Sequence, residues 1–114
     1  MAPGQRLVLV AVLVGAAVVL HPALGVAQDA VTIEIRDYSF QPHEQVVKAG
    51  TVVRWVNRDE FPHSVAVQGG RPGSSPGLVD PGKEHSFTFP ESGRFPYRCG
   101  VHPTMLGEII VQGP

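Results

Sequence analysis

The sequence is poorest in cysteine: among 114 residues there is one, Cys99. A lone cysteine excludes an intrachain disulfide framework, so the fold must be held by its core rather than by cross-links. Methionine is nearly as scarce, with Met1 and Met105 the only two, and Trp55 is the only tryptophan. An excess of one charge is also lacking, since nine Lys and Arg stand against ten Asp and Glu interspersed along the chain. That balance argues against nucleic acid as a partner. Past the N-terminus there is no long apolar run and no helical periodicity, which excludes bundles and membrane-spanning helices there.

The one apolar run, residues 7–20, follows Arg6 and is too short to span a bilayer comfortably. With the small residues Ala23, Gly25 and Ala27 after it, it reads as an export signal over residues 1–27, cleaved after Ala27, and not as a retained anchor. The expected location is periplasmic or otherwise extracytoplasmic, with no stable membrane insertion after cleavage. Residues 28–114 then form one small domain with room for a single core, read as a monomer. Exported domains of this size are commonly stapled by disulfides, so Cys99 needs another account. The candidates are an intermolecular disulfide, a buried inert thiol and a metal thiolate.

Strand signals run through the domain. Val31, Ile33 and Ile35 alternate with Thr32, Glu34 and Arg36, and Tyr38 and Phe40 extend the apolar set as far as Pro42. Residues 44–48 make a second strand, Ala49-Gly50 a turn, and residues 51–57 a third, with Val53, Trp55 and Asn57 on one face. Trp55 is expected to point inward. Another strand covers residues 63–67, residues 68–82 read as a long Gly-, Pro- and Ser-rich surface connection, and residues 84–90 alternate again. Residues 95–99 form a strand that enters a tight loop, and residues 107–111 close the domain. Seven or so short strands with turns between them predict an all-β, two-sheet Greek-key β-sandwich. Such sandwiches serve many roles, so function must be argued from a site.

The chemistry-bearing segment is Tyr97-Arg98-Cys99-Gly100-Val101-His102-Pro103-Thr104-Met105, where three metal-capable side chains fall three residues apart. A thiolate and imidazoles in a plane with a weak axial thioether suit copper cycling between Cu(I) and Cu(II), and this loop offers three of those four donors. A second imidazole must come from elsewhere. His43 reads as a solvated loop residue, His85 as a partly buried residue of a strand, and His63 stands where a loop enters a strand after Phe61-Pro62. Taken alone, each is more often structural than a ligand. Asn57, Asp59 and Glu60 read as turn and surface groups.

At these residues the chain resembles the cupredoxins, among them small blue (type 1) copper proteins of the amicyanin and plastocyanin kind. The resemblance runs over Lys48-Ala49-Gly50-Thr51-Val52-Val53-Arg54-Trp55-Val56-Asn57, then Phe61-Pro62-His63-Ser64-Val65, then Gly93-Arg94-Phe95-Pro96-Tyr97-Arg98-Cys99 and on to Met105. It implies His63, Cys99 and His102 as the first three ligands of one copper ion and Met105 as the axial one. The two-residue gaps on either side of His102 look like the short amicyanin loop. Where the family usually has an asparagine after the first histidine, tying the two ligand-bearing loops together, this chain has Ser64, whose shorter hydroxyl can still bridge. Val101 stands where amicyanins tend to have proline, and Pro103 is retained.

The function implied is one-electron transfer, with redox partner proteins docking near His102. The alternative is a copper carrier or buffer, against which stands Met105 as the only methionine past the signal. Copper oxidases and nitrite reductases need further centres and usually a histidine beside the thiolate, where this chain has Arg98 and Gly100. The chain is therefore not read as an enzyme. A cysteine-hydrolase reading of Cys99 and His102 lacks a third residue to orient the base. A metal-free interaction module is the remaining rival.

Overall fold

A computed structural model describes residues 4, 15 and 29–113 of the chain, so the signal expected over residues 1–27 lies, apart from two isolated positions, outside the described residues. Among those residues no helix is long and apolar enough to cross a membrane.

Alternation of apolar and polar side chains builds the first sheet. In β1 (Ala30–Arg36) Ile33 and Ile35 are fully buried while Thr32 and Arg36 face solvent. The chain reverses into β2 (Ser39–Gln41) and continues through β3 (Glu44–Lys48) to β4 (Val52–Asn57), where Val53 and Trp55 point inward as expected. The first strand does not run through to Pro42. Arg36 pairs directly with Ser39, so Asp37 and Tyr38 form a two-residue hairpin turn with φ of 51° and 55°. The turn was illegible because Asp-Tyr lacks the glycine or asparagine that usually marks this hairpin geometry.

Residues 63–67 are two strands: β5 (His63–Ser64) and β6 (Ala66–Val67) belong to different sheets on either side of Val65. The long connection after them is not wholly surface loop, because β7 (Leu78–Val79) pairs back onto β5. Two-residue strands have no period to read. β8 (Glu84–Thr88), β9 (Gly93–Arg98) and β10 (Leu106–Gln112) complete the chain.

The strands form the expected Greek-key sandwich, with one sheet ordered β2-β1-β4-β8, a second ordered β3-β10-β9-β6, and the small β5-β7 pair at one end. β1 runs parallel to β4 and β10 parallel to β3, while β10 and β9 are antiparallel. Between the sheets an aromatic cluster fills the core. Trp55 lies 5.5 Å from Tyr97 and 6.3 Å from Phe89 between ring centroids, and Phe40 lies 4.7 Å from Tyr97, all at the steep angles that aromatic quadrupoles favour. Burial pushes the Tyr97 phenol well above its usual range, so it stays neutral.

Gly107 lies opposite Tyr97 in the β9–β10 ladder, and a Cβ there would overlap the phenol ring. Gly107→Ala should therefore destabilise the fold by about 1–3 kcal/mol through overpacking. An unchanged urea midpoint would contradict this placement.

His85 stacks on Trp55 at 5.9 Å, and its Nε2 is buried without a hydrogen-bond partner among the described residues. Burial lowers its pKa from 6.5, only partly offset by a hydrogen bond with the Ser74 backbone. The unfolded chain then takes up the proton first, so this contribution to stability is present above the unfolded value and is lost as pH falls through it. Melting temperature should decline below about pH 6.5, and His85→Gln should flatten that decline. An equally steep decline in the variant would assign it to other groups.

Candidate metal centre

Two segments 36 positions apart meet at the β5 end of the sandwich. His63 opens β5, directly opposite Val79 of β7, and the returning segment leaves His63 fully buried. Cys99 follows the last residue of β9 and keeps the inward alternation set by Tyr97, so it too is fully buried. The chain then reverses over six residues. Cys99 N–H donates to the Met105 carbonyl at 3.0 Å and Met105 N–H to the His102 carbonyl at 2.9 Å. These two bonds make the 99–105 loop a tight turn between β9 and β10. His102 is half-buried on it, and Met105 is buried in the same core cluster as Cys99.

The Cys99 sulfur Sγ stands 3.8 Å from His63 Nδ1 and 3.9 Å from His102 Nδ1, and these three atoms lie within 4.8 Å of one another. A sulfur and a nitrogen meeting a first-row ion at 120°, with bonds of about 2.3 Å to sulfur and about 2.0 Å to nitrogen, stand about 3.7 Å apart. The spacing suits a three-coordinate plane. The donor types, one thiolate and two imidazoles, are those that suit copper in such a plane when a thioether can approach the axis.

His63 is also in the required tautomer. Its Nε2 lies 2.8 Å from Asp59 Oδ2, and a carboxylate only accepts, so the proton sits on Nε2 and the Nδ1 lone pair is left for a metal. The same carboxylate accepts the backbone N–H of Asp37 at 2.7 Å on Oδ1 and of Tyr38 at 3.0 Å on Oδ2. Burial raises the Asp59 pKa, but the hydrogen bonds from Tyr38, Asp37 and His63 outweigh it and hold the carboxyl below its ordinary range.

Asp59 is thus a support of the site and not the turn or surface group its sequence context suggests. Asn57 needs the same correction. It is fully buried, its Nδ2 donates to the carbonyls of Phe61 and Val79, and its Oδ1 accepts Asp59 N–H at 2.9 Å, so it shapes the loop that delivers His63. The one sequence signal for Asp59 is its position four residues before His63, too common a spacing to read alone. Glu60 is exposed as expected. His43 is exposed, and His85 is half-buried and stacked on Trp55, so neither joins the donor cluster.

Ser64 does bridge the two segments. Its Oγ accepts Gly100 N–H at 2.6 Å, and its own N–H points at the Cys99 sulfur at 3.3 Å. The approach is close enough that a Cβ on Gly100 would stand 3.0 Å from Ser64 Oγ.

Comparison with known proteins shows the family of the chain. The family described as cupredoxin-like domain matches residues 8–111. The amicyanin of Paracoccus denitrificans is 32% identical over 93 residues, covering 79% of this chain and 71% of the relative. That of Paracoccus versutus is 34% identical over 93 residues, covering 79% and 70%. A plastocyanin of Scenedesmus fuscus is 33% identical over 84 residues, covering 64% of this chain and 86% of the relative. A solved structure of the Cu(I) form of an amicyanin point mutant superposes with a TM-score of 0.68 at 32% identity, covering 78% of this chain and 88% of that one.

Replacing Ser64 by alanine should remove the bond from Gly100 N–H, which lies on an exposed residue, and cost about 0.5–1.5 kcal/mol, with faster amide exchange across residues 99–105. Exchange rates unchanged in that loop would show that Ser64 does not tie it.

Proposed function

Since the chain belongs to the cupredoxin-like family, we propose that His63, Cys99, His102 and Met105 would hold its single copper ion. The chain is a one-electron carrier of the blue copper kind. What carries the ligand assignment is the convergence of two imidazoles on one buried sulfur, with Cys99 Sγ 3.8 Å from His63 Nδ1 and 3.9 Å from His102 Nδ1. Copper, when bound, supplies a reversible one-electron change between Cu(I) and Cu(II).

The protein's part is to keep its donors still. Cys99 is anchored through its backbone N–H to the Met105 carbonyl and through the Ser64 N–H to its sulfur. His63 is locked by Asp59, and both segments sit on a packed sandwich. Little has to rearrange when charge changes at such a site. The buried surroundings of the sulfur, together with Met105, tune the reduction potential.

Residues 1–27 are proposed as a cleaved export signal and residues 28–114 as the blue copper domain, working in the periplasm or another extracytoplasmic space. We read it as a monomeric carrier and not as an enzyme. Redox partner proteins would dock where His102 approaches the surface. Val101, 51% exposed, and Leu106, 63% exposed, support that reading, because an apolar rim suits brief contacts of small area.

The visible spectrum of the oxidised, copper-loaded protein tests the assignment. An intense thiolate-to-copper band should appear and be lost in Cys99→Ser with the fold intact. His63→Ala should lose copper affinity, whereas His43→Ala and His85→Ala lose little. Met105→Leu should stay coloured with a raised potential, since Cu(I) tolerates three donors better than Cu(II) does and the loss of a fourth donor therefore costs the oxidised form more. A Cys99→Ser protein that remained blue, or a lowered potential in Met105→Leu, would overturn the corresponding role.

A further inference from the structure

The two imidazoles of the donor cluster are restrained unequally. His63 is fully buried and hydrogen-bonded to Asp59, whereas His102 is half-buried on a short loop, and its Nε2 has no hydrogen-bond partner among the described residues. Among the described aromatic rings, those against the His102 ring are His63 and Tyr38. The Tyr38 ring stands 5.0 Å from the His102 ring at an interplanar angle of 85°, and 5.4 Å from the His63 ring at 89°. Phe61 backs it at 5.6 Å.

Tyr38 reaches this place at a conformational cost. With φ of 55° it lies in the left-handed region, which a bulky L-residue seldom adopts, and Asp37 beside it has φ of 51°. Such a backbone persists only where its surroundings hold it. Here the holder is Asp59, whose carboxylate accepts both turn N–H groups while it also accepts His63 Nε2–H. One carboxylate thereby fixes the orientation of one imidazole directly and carries an aromatic ring onto the other. The phenol hydroxyl has no hydrogen-bond partner among the described residues, and the side chain is 45% exposed, so neither polar bonding nor core packing accounts for a tyrosine at this strained position.

We propose that Tyr38 is a positioning residue for His102: clamped by Asp59, its ring packs near-perpendicular to the imidazole and keeps this exposed donor from turning away from the other donors. The proposal rests on the reading of His102 as a metal ligand. The ring, not the hydroxyl, does the holding. Restraint of the exposed imidazole keeps the donor plane the same in both oxidation states, and so keeps electron exchange fast.

The decisive comparison is among wild type, Tyr38→Phe and Tyr38→Gly. Glycine suits a positive φ, so Tyr38→Gly should leave the urea midpoint unchanged or raised, while removing the ring. Relaxation-dispersion NMR of the imidazole Cε1–H groups is measured in the Cu(I) protein and in the metal-free protein. In Tyr38→Gly the turned-out population of the His102 ring should rise by up to about tenfold, the size an edge-to-face pair supports, with His63 unaffected. Electron self-exchange should slow in step, and Tyr38→Phe should behave as wild type in both readouts. A His102 ring as ordered in Tyr38→Gly as in wild type overturns the proposal, and so does a Tyr38→Phe protein as loosened as Tyr38→Gly. Absence of a thiolate-to-copper band in wild type would instead overturn the metal assignment, and the metal-free comparison would still decide whether Tyr38 positions His102.

Discussion

The structure at the functional end depends on one junction, where His63-Ser64 meets Cys99-Gly100. Ser64 N–H approaches the Cys99 sulfur at 3.3 Å, and Ser64 Oγ accepts Gly100 N–H at 2.6 Å. These contacts join a short strand at the edge of the sandwich to the loop that leaves its central β9–β10 ladder. Without them the buried imidazole and the thiol would belong to separate elements with no shared geometry. The rest of the site is assembled around this seam: β7 covers His63 from one side, and the Cys99 to Met105 backbone bond returns the loop on the other.

Rigidity at the site is layered. Asn57 shapes the 57–63 loop through its side-chain amide, that loop presents Asp59, and Asp59 orients His63 while holding the Asp37-Tyr38 turn. Each layer is buried or satisfied by directed hydrogen bonds, which is how a protein holds a donor set without relying on the metal to organise it. The aromatic core of Trp55, Phe40, Phe89 and Tyr97 supplies the stiff base beneath. Tyr97 links the two regions, because it lies in that core and sits two residues before Cys99 on the same face of β9.

The solvent side is built differently. His102 is half-buried, and Phe61, Val101 and Leu106 around the donor end are each more than half exposed. A carrier needs both properties at once, a dry sulfur that keeps its donors fixed and an approachable edge through which an electron can pass. The short loop supplies the second. Its six-residue reversal leaves room for only Gly100 and Val101 before His102, so the imidazole cannot be drawn far beneath the surface.

By itself, the sequence determined the class of fold and the chemistry. Alternation in residues 31–35 and 51–57 carried the sandwich and the inward Trp55, because a period of two survives in any strand long enough to show it. The lone Cys99 with His102 and Met105 at three-residue spacing offered three of the four expected donors, because ligand type and loop length are local properties, whereas His63 was named only through the family resemblance. Only the tertiary structure decided what lies between distant segments. It split residues 63–67 across two sheets, brought Leu78–Val79 back onto His63, and turned Asp59 and Asn57 from loop polar groups into supports of the site. It also put Tyr38 against both imidazoles through a turn that Asp-Tyr does not advertise. A two-residue strand has no period, and a hydrogen bond between a carboxylate and an imidazole leaves no mark on composition. Such features exist only once the chain has folded and brought their partners together.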